Sequence, residues 1–239
     1  MENIIVFDMD GVLAEVTESY REAIVQTVEH FTGKRIERDL VQRYKNAGGW
    51  NNDWALSQKI ASDLGVEVAY ADIVDYFNHI FLGSNGGNGS DGLIRRETWI
   101  PQPGLLDRLG RRFDLAIFTG RLRYELDITL ARFAPEIRFD PIVCAEHGAK
   151  PKPAPEGLFA IQSRKPGSKL WYVGDTIDDA RSASAAGVPF IGIIAPGHSS
   201  REQLTRLFQK ENAVSILENV NQIEAALGSA QPGVVRDSL

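Results

Sequence analysis

The sequence predicts an α/β fold, a doubly wound and Rossmann-like parallel sheet that carries a small helical insertion. Short apolar runs of branched and aromatic residues alternate with segments whose apolar residues recur at helical spacing, which is typical of βαβ units. The alternation is interrupted over residues 14–98, where only helical spacing is found. Polar and acidic residues follow several of the apolar runs, at the positions where open parallel sheets bind their ligands.

Six apolar runs predict the strands of the core sheet: Ile4 to Phe7, Leu115 to Phe118, Pro141 to Cys144, Leu170 to Val173, Pro189 to Ile194 and Val214 to Leu217. Periodic segments after the second strand predict helices at Leu122 to Phe133, Glu156 to Ser163, Asp178 to Ala186, Arg201 to Lys210 and Val220 to Leu227. We therefore assign residues 1–13 and 99–228 to the α/β core.

Residues 14–98 are predicted to form a helical domain between the first two core strands. Apolar positions recur at helical spacing in three stretches, and Gly33 and Gly65 follow the first two. The chain returns through a glycine-rich segment, residues 83–92, which predicts a flexible connector or, alternatively, a hinge that gates a site. Residues 229–239 are polar and predict a frayed tail.

Composition and charge argue against several classes of protein. With 43% hydrophobic and 24% charged residues, the chain has an ordinary globular composition. A net charge of -6 argues against a nucleic-acid partner, because phosphate backbones are bound by clustered Lys and Arg. No apolar stretch reaches membrane-spanning length, and the start does not resemble a signal peptide. The single cysteine, Cys144, is predicted to be a small buried residue. We expect a cytoplasmic protein that does not bind membranes, with its oligomeric state left open.

Two carboxylates, Asp8 and Asp10, directly follow the first predicted strand. Residues two apart in an extended chain point the same way, so both carboxylates can face one pocket. A simple Asp-Gly turn at Asp10 and Gly11, with Asp8 as a cap, is the alternative. Two like charges this close are costly unless a cation or a reaction uses them, which favours a functional pair.

Three further segments place polar groups after predicted strands or before helices. Thr119, Gly120 and Arg121 follow the second strand, where a hydroxyl and backbone N–H groups can hold phosphate oxygens, although a helix cap alone explains the threonine. Lys152 lies between prolines that restrict the backbone before a helix, and it can reach a phosphate as a point charge. Asp175 follows the fourth strand and is a candidate ligand for a hard cation such as Mg²⁺.

The four segments, in this order and at strand ends, resemble the motifs of the haloacid dehalogenase-like hydrolase superfamily. The matching residues are Asp8-Met9-Asp10-Gly11-Val12, Thr119, Lys152 and Gly174-Asp175-Thr176-Ile177-Asp178-Asp179. The resemblance covers nearly the whole chain, and the insertion resembles that superfamily's helical cap of the first type. Each motif is weak alone, but four in order make chance agreement improbable.

The resemblance implies a Mg²⁺-dependent phosphatase that hydrolyses a small-molecule phosphate monoester. Asp8 would be the nucleophile that forms an aspartyl phosphate. Asp10 would protonate the leaving oxygen and then deprotonate the attacking water. Mg²⁺ would be held by Asp8, the backbone carbonyl of Asp10 and Asp175.

The remaining motif residues are implied to bind phosphate or to orient the residues that do. Thr119, the Gly120 N–H and Lys152 would bind the equatorial oxygens as charge spreads over them. Asp179 matches the last acid of the motif and would orient Lys152 or bind the metal through water. The role of Asp178 is left open, because its position varies in the superfamily.

Several alternatives stay open at this point. A phosphomutase shares these motifs, since hydrolase and mutase differ in how water is kept out. A phosphonatase would need a lysine from the insertion, for which Lys34, Lys45 and Lys59 are candidates. Asp10 favours phosphoryl chemistry, because dehalogenases lack an acid there. A phospho-acceptor or binding protein on the same scaffold is the alternative from another class. A nucleotide-binding dehydrogenase is disfavoured, because no glycine fingerprint follows the first strand.

Substrate selectivity is expected to reside in the insertion. Residues 46–54 combine two indoles, three amides and an acid, which suits a polar, cationic or heteroaromatic leaving group and makes Trp50 and Asn51 possible contacts. The alternative is a helix start capped by Asn52 or Asp53, with the indoles in the core. Arg121, beside the phosphate loop, is a third possible contact. Residues 49–54 also resemble an uncharacterised branch of the superfamily linked to histidine-pathway enzymes, which makes histidinol phosphate a substrate to test.

Overall fold

The computed structural model describes residues 3–84, 91–146 and 150–229. Within these ranges the chain forms a six-stranded parallel sheet flanked by helices, which confirms the predicted fold class. The predictions for residues 85–90 of the connector and for residues 230–239 of the tail lie outside the described residues.

The strands, numbered along the chain, are β1 (Asn3–Phe7), β2 (Ala14–Glu15), β3 (Thr98–Trp99), β4 (Asp114–Phe118), β5 (Ile142–Val143), β6 (Lys169–Gly174), β7 (Phe190–Ile193) and β8 (Ser215–Leu217). The helices are α1 (Tyr20–Thr32), α2 (Arg38–Ala47), α3 (Asp53–Asp63), α4 (Tyr70–Leu82), α5 (Leu105–Gly110), α6 (Arg123–Phe133), α7 (Glu156–Arg164), α8 (Ile177–Ala186), α9 (Arg201–Lys210) and α10 (Ile223–Ser229). The large sheet has the order β5-β4-β1-β6-β7-β8. The first strand is therefore central, between β4 and β6.

The sheet is buried on both faces, as its apolar strands predict. In β1, Ile4 and Val6 pack into the core on one side, whereas Ile5 and Phe7 pack into the core on the other. This alternation follows from the two-residue period of a strand. All four residues are fully buried, so the position of β1 and of the residues that follow it is strongly constrained.

The sequence patterns do not predict three kinds of element that the structure contains. The strands β2 and β3 are two residues each, too short to show a period, and the six-residue α5 is similarly short. The helix α2 was not recognised because Val41 is its one fully buried apolar residue. Leu40, Val41 and Tyr44 recur at helical spacing, but most of the other residues of α2 are charged or polar.

The insertion is joined to the core by two adjacent chain crossings. In the ribbon of β2 and β3, Ala14 pairs with Trp99 and Glu15 with Thr98, antiparallel. The helices α1 to α4 all lie between these crossings. Any movement of the insertion relative to the core must therefore pass through this ribbon.

Two expectations from composition can be compared with the structure. Cys144 is 2% exposed and packs in the core, as predicted, and burial raises the pKa of its thiol to about 12. Such a thiol is a poor nucleophile at neutral pH. Across the described ranges, no helix is both long and apolar enough to cross a bilayer.

An ion-pair cluster ties the first two helices of the insertion together. Glu22 of α1 lies 2.8 Å from Arg35 and 2.9 Å from Arg38, at the start of α2, and accepts a hydrogen bond from Gln26 at 2.9 Å. Burial opposes the charge of Glu22, but these hydrogen bonds outweigh it and lower the pKa to about 2. The cluster therefore stabilises the insertion as long as Glu22 is ionised.

We expect Glu22→Gln to lower the free energy of unfolding by about 1–2 kcal/mol at neutral pH, less than the full pKa shift implies because both arginines are partly exposed. The folded pKa lies below the ordinary value of 4.5, so the stabilisation is present above that pH and is lost as the pH falls towards 2. Urea titrations of both proteins at about pH 7, 5 and 3.5 measure the difference. A difference that does not shrink towards acid pH would contradict this account.

Candidate active site

The carboxyl ends of three adjacent strands bring the predicted site segments together. Asp8 follows β1, Thr119 follows β4 and Asp175 follows β6. The N–H of Asp8 donates to the carbonyl of Val173 at 2.8 Å, which extends the pairing of β1 with β6. Because parallel strands end at the same edge of the sheet, these residues face one cavity.

This cavity has a volume of about 310 Å³, in the range of small-molecule sites. Its core wall includes Asp8, Asp10, Thr119, Gly120, Lys152 and Asp175. The insertion supplies the opposite wall, with Tyr20, Lys45, Asn51, Asp53, Trp54 and Phe77. The four predicted motifs thus meet at a cavity that is closed by the predicted cap.

Lys152 joins two of the carboxylates. Its ammonium lies 2.9 Å from Oδ1 of Asp8 and 2.6 Å from Oδ1 of Asp179, and all three side chains are buried. Asp179 also accepts hydrogen bonds from the hydroxyl of Tyr172 at 2.6 Å and from the N–H and hydroxyl of Thr176 at 3.0 and 2.6 Å. Asp179 is therefore fixed by its neighbours and orients Lys152, which in turn contacts Asp8.

Three carboxylates and one ammonium meet in this cluster, and burial raises the pKa of two of the carboxylates. Burial raises the pKa of Asp8 to about 7, although Lys152 opposes the shift. Burial, with Asp179 and Asp8 nearby, also raises the pKa of Asp175 well above its ordinary value. For Asp179 burial acts in the same direction, but Lys152 outweighs it and lowers the pKa. One lysine therefore does not neutralise all three carboxylates, of which Asp8 and Asp179 are buried and Asp175 is half-buried.

This charge imbalance fits a divalent cation. One carboxylate oxygen each from Asp8, Asp175 and Asp179 lies within 4.8 Å of the other two. Oδ1 of Asp175 is buried and has no hydrogen-bond partner among the described residues. Oxygen donors of this kind suit a hard cation such as Mg²⁺. The predicted ligands were Asp8, Asp175 and the backbone carbonyl of Asp10, and the side-chain geometry adds Asp179 to the candidates.

Gly11 allows Asp175 to approach the loop after β1. Its φ is +70°, a conformation that side chains disfavour, and a Cβ at this position would lie 2.0 Å from Oδ2 of Asp175. Gly11 is therefore required for the position of the Asp175 carboxylate and not only for a turn.

Thr119 and Gly120 occupy the wall where phosphate contacts are predicted. The N–H of Thr119 donates to the carbonyl of Val143 at 3.0 Å, and its hydroxyl accepts a hydrogen bond from the N–H of Arg121 at 3.2 Å. Toward the described residues the hydroxyl donates no hydrogen bond, so its proton can serve a ligand oxygen. Gly120 is exposed at the cavity.

The side chain of Arg121 has several polar partners. Although Arg121 borders the cavity, its guanidinium is fully buried and pairs with Asp10 at 2.6 Å and with Glu97 at 2.9 Å. It also donates to the hydroxyl of Thr129 at 2.8 Å. These partners already engage the guanidinium, and a direct contact between Arg121 and a substrate stays a prediction.

The loop between α2 and α3 docks on the core. Nδ2 of Asn51 donates to Oδ2 of Asp178 at 2.8 Å and to the carbonyl of Lys152 at 2.9 Å. The N–H of Gly49 donates to the same Asp178 oxygen at 2.7 Å. Asp178, whose role the motif left open, thus binds the insertion to the core. A contact between Asn51 and a substrate stays a prediction.

The two indoles of this loop have different surroundings. Trp50 packs against Tyr44, with ring centroids 5.9 Å apart, and does not contribute to the cavity wall formed by the described residues. Trp54 lies in the wall, where its Nε1 is buried without a hydrogen-bond partner among the described residues. A contact between Trp50 and a substrate stays a prediction. Asn52 caps α3, since its Oδ1 accepts a hydrogen bond from the N–H of Ala55 at 2.9 Å.

Sequence reasoning missed three site residues that lie outside the motifs. Glu97 binds Arg121, Tyr20 donates to Glu125 at 2.9 Å, and burial raises the pKa of Glu125 to about 7. Tyr20 fitted an apolar helical period, and the two glutamates are single acids among other charged residues. No local pattern distinguishes them from solvated surface residues.

A family model for haloacid dehalogenase-like hydrolases matches residues 2–187. The chain belongs to this hydrolase family. A curated relative from Phytophthora nicotianae, named imidazoleglycerol-phosphate dehydratase, is 33% identical over 198 residues, which are 80% of this chain and 43% of the relative. The chain therefore spans less than half the length of that relative.

Solved structures share the fold over nearly the whole chain. A predicted phosphoglycolate phosphatase from Haemophilus somnus is 18% identical with a TM-score of 0.71, over 96% of this chain and 98% of that one. A phosphatase from Thermococcus thioreducens is 25% identical with a TM-score of 0.62, over 86% of this chain and 99% of that one. The chain thus shares its architecture with two proteins that are named phosphatases.

We expect Gly11→Ala to weaken the binding of a divalent cation, with Mg²⁺ as the probe, at least about tenfold, because the added Cβ displaces the Asp175 carboxylate. Gly33→Ala is the matched control, since Gly33 has a φ of +69° but nothing within 4 Å of an added Cβ. Both variants should lose about 1–2 kcal/mol of stability from backbone strain. Titration calorimetry with Mg²⁺ and thermal denaturation separate the two effects. Equal Mg²⁺ affinity in both variants would show that Asp175 does not need this close approach.

Proposed function

We propose that the protein is a Mg²⁺-dependent phosphatase that hydrolyses a small-molecule phosphate monoester through an aspartyl phosphate on Asp8. The observation that carries the proposal is the meeting of Asp8, Asp10, Lys152 and Asp175 at one cavity of a haloacid dehalogenase-like hydrolase. We propose Mg²⁺ as the bound cation and a phosphate monoester as the substrate.

The proposed reaction has two displacement steps on phosphorus. An oxygen of the Asp8 carboxylate attacks phosphorus, the bond to the ester oxygen breaks, and the leaving alcohol takes a proton from Asp10. Water then attacks the aspartyl phosphate and gives a proton to Asp10, and the bond between Asp8 and phosphorus breaks. Inorganic phosphate leaves, and both aspartates return to their starting states.

The other residues act on charge and orientation. Lys152, with Thr119 and the N–H of Gly120, binds the phosphoryl oxygens on which charge develops. Asp8, Asp175 and Asp179 are the side chains that would hold Mg²⁺, together with the predicted carbonyl of Asp10. Bound Mg²⁺ would supply positive charge that offsets the repulsion between a carboxylate nucleophile and an anionic phosphate.

We expect excess EDTA to abolish phosphate release from an aryl phosphate, and added Mg²⁺ to restore it. Asp8→Asn should remain folded and lose at least about 10³-fold in kcat, because the nucleophile is removed. Asp127→Asn is the control, since Asp127 is half exposed and pairs with Arg123 on the surface. Wild-type kcat in Asp8→Asn would refute the assignment of the nucleophile.

Two observations favour different leaving groups. The name of the Phytophthora relative refers to an imidazole-bearing phosphate ester, and aromatic side chains of Tyr20, Trp54 and Phe77 line the insertion's wall, which favours the predicted histidinol phosphate. Arg21 also lines the cavity, and it makes no ion pair with any described residue, which favours a second anionic group on the substrate.

A panel of phosphate esters with Mg²⁺, measured as released inorganic phosphate, distinguishes these leaving groups. We expect histidinol phosphate to exceed carboxylate-bearing esters such as phosphoglycolate in kcat/KM by at least about tenfold, the discrimination that a few buried contacts provide. Arg21→Gln should leave kcat/KM for histidinol phosphate nearly unchanged. A preference for carboxylate-bearing esters that Arg21→Gln abolishes would refute the imidazole assignment.

A phosphonatase is a second candidate because of one observation. Of the three candidate lysines, Lys45 lies in the cavity wall, 2.5 Å from Asp53, whereas Lys59 pairs with Asp63 at the surface. Borohydride trapping of Lys45 with an aldehyde phosphonate would favour this candidate over the phosphatase.

A mutase would instead need an acceptor sugar phosphate for turnover.

A phospho-acceptor protein differs from a catalyst in stoichiometry. The catalyst releases many equivalents of phosphate, whereas an acceptor stops near one.

We also propose a cytoplasmic location. The single cysteine supports it, because one cysteine cannot form an intrachain disulfide.

A further inference from the structure

A buried chain of charged side chains connects Asp10 to the joint between insertion and core. Glu97 is the residue directly before β3, where the polypeptide returns from the insertion. Arg121 follows β4, and Asp10 follows β1. Arg121 contacts both carboxylates and thereby links three separate segments.

The geometry of Arg121 is specific. Its Nε and Nη2 lie 2.7 and 2.6 Å from the same oxygen, Oδ1 of Asp10. On the other side, Nη2 and Nη1 donate to the two oxygens of Glu97 at 2.9 and 3.3 Å. Arg121 and Glu97 are 0% and 1% exposed, whereas Asp10 is 33% exposed and borders the cavity.

Two further residues hold Arg121 in place. Thr129 accepts a hydrogen bond from Nη1 at 2.8 Å and donates to Glu97 at 2.7 Å. The ring of Tyr20 lies 4.8 Å from the guanidinium carbon, in a cation–π contact. The guanidinium thus has partners at its edges and on one face, which restricts its rotation.

This arrangement leaves one oxygen of Asp10 for the reaction. Both contacts from Arg121 reach Oδ1, and no described residue donates a hydrogen bond to Oδ2. An acid that protonates a leaving oxygen needs a fixed carboxyl group with one oxygen accessible to the substrate. Arg121 meets that requirement because it binds only Oδ1 of Asp10.

Stability alone does not explain the network. Replacing a buried ion pair or triad with apolar residues is often neutral or stabilising, because removing charges from water is costly. A buried arginine with two buried or half-buried carboxylates therefore indicates another role. Its contact with Asp10, beside the nucleophile's cavity, identifies where that role lies.

We propose that Arg121, held by Glu97 at the joint of the insertion, positions Asp10 to transfer its proton to the leaving oxygen. The inference rests on the proposed phosphatase function. Arg121 and Glu97 are positioning residues that act through Asp10. Because Glu97 directly precedes β3, the orientation of Asp10 depends on the same ribbon through which the insertion must move.

The test compares two esters that differ in their need for an acid. The p-nitrophenolate of p-nitrophenyl phosphate leaves without a proton, whereas an alkyl phosphate needs one. We expect Arg121→Lys and Glu97→Gln to lower the single-turnover rate of leaving-group release about 10²-fold on the alkyl ester and under about fivefold on the aryl ester, with KM changed less than about twofold. This first step is measured by itself because the second step, in which water gives a proton to Asp10, is common to both esters. Asp10→Asn should show the same selective loss in the first step, and adding Arg121→Lys to it should cost nothing further.

Controls separate positioning from folding. Glu22→Gln breaks a comparable ion-pair cluster in the insertion without touching Asp10 and should preserve the alkyl-to-aryl ratio. The double variant Arg121→Met/Glu97→Met removes the buried charges together, so it should stay folded by thermal denaturation and still show the selective alkyl loss.

Three outcomes would overturn the proposal. Equal losses in the rate of leaving-group release on both esters would indicate a purely structural role, a raised KM with an unchanged rate of release would indicate a substrate contact, and additive losses with Asp10→Asn would indicate independent action. Turnover of the aryl ester by the wild-type protein tests the proposed function separately. Its absence would refute the phosphatase itself, and the positioning role with it.

Discussion

Electrostatic repulsion among carboxylates at the sheet edge is the constraint on which the site depends. Asp8 and Asp175 follow adjacent strands, so the fold forces their charges into one buried volume beside Asp179. Burial makes that repulsion stronger, because the low dielectric of the interior screens charges poorly. The buried ammonium of Lys152 offsets part of it by contacting two of the three carboxylates.

The surrounding residues follow from this constraint. Lys152 outweighs the burial of Asp179 and keeps it ionised, and hydrogen bonds from Thr176 and Tyr172 act in the same direction and hold the carboxylate towards Lys152. Gly11 removes the side chain that would otherwise collide with Asp175. The remaining negative charge is what a divalent cation would neutralise, and a nucleophilic carboxylate needs such a cation to approach an anionic phosphate.

The insertion contributes to the site by binding the core at two places. The loop after α2 docks on Asp178, and Glu97 reaches Arg121 beside Asp10. The contact with Asp178 fixes the wall opposite Asp8, the proposed nucleophile. The contact of Glu97 connects the joint of the insertion to Asp10, the predicted acid. The predicted helical cap, residues 14–98, is thus bound to Asp178 and Arg121 of the core.

The sequence by itself determined the parallel sheet, three of the four inserted helices and the four segments that meet at the site. These follow from local patterns: strand and helix periods show which faces are buried, and the sheet topology brings strand ends together. Only the tertiary structure decided which partners the charged side chains take. Arg121 binds Glu97 and Asp10, and Trp54 replaces Trp50 in the cavity wall. These pairings join residues far apart along the chain, and their distances depend on how the insertion packs on the core, which no local pattern encodes.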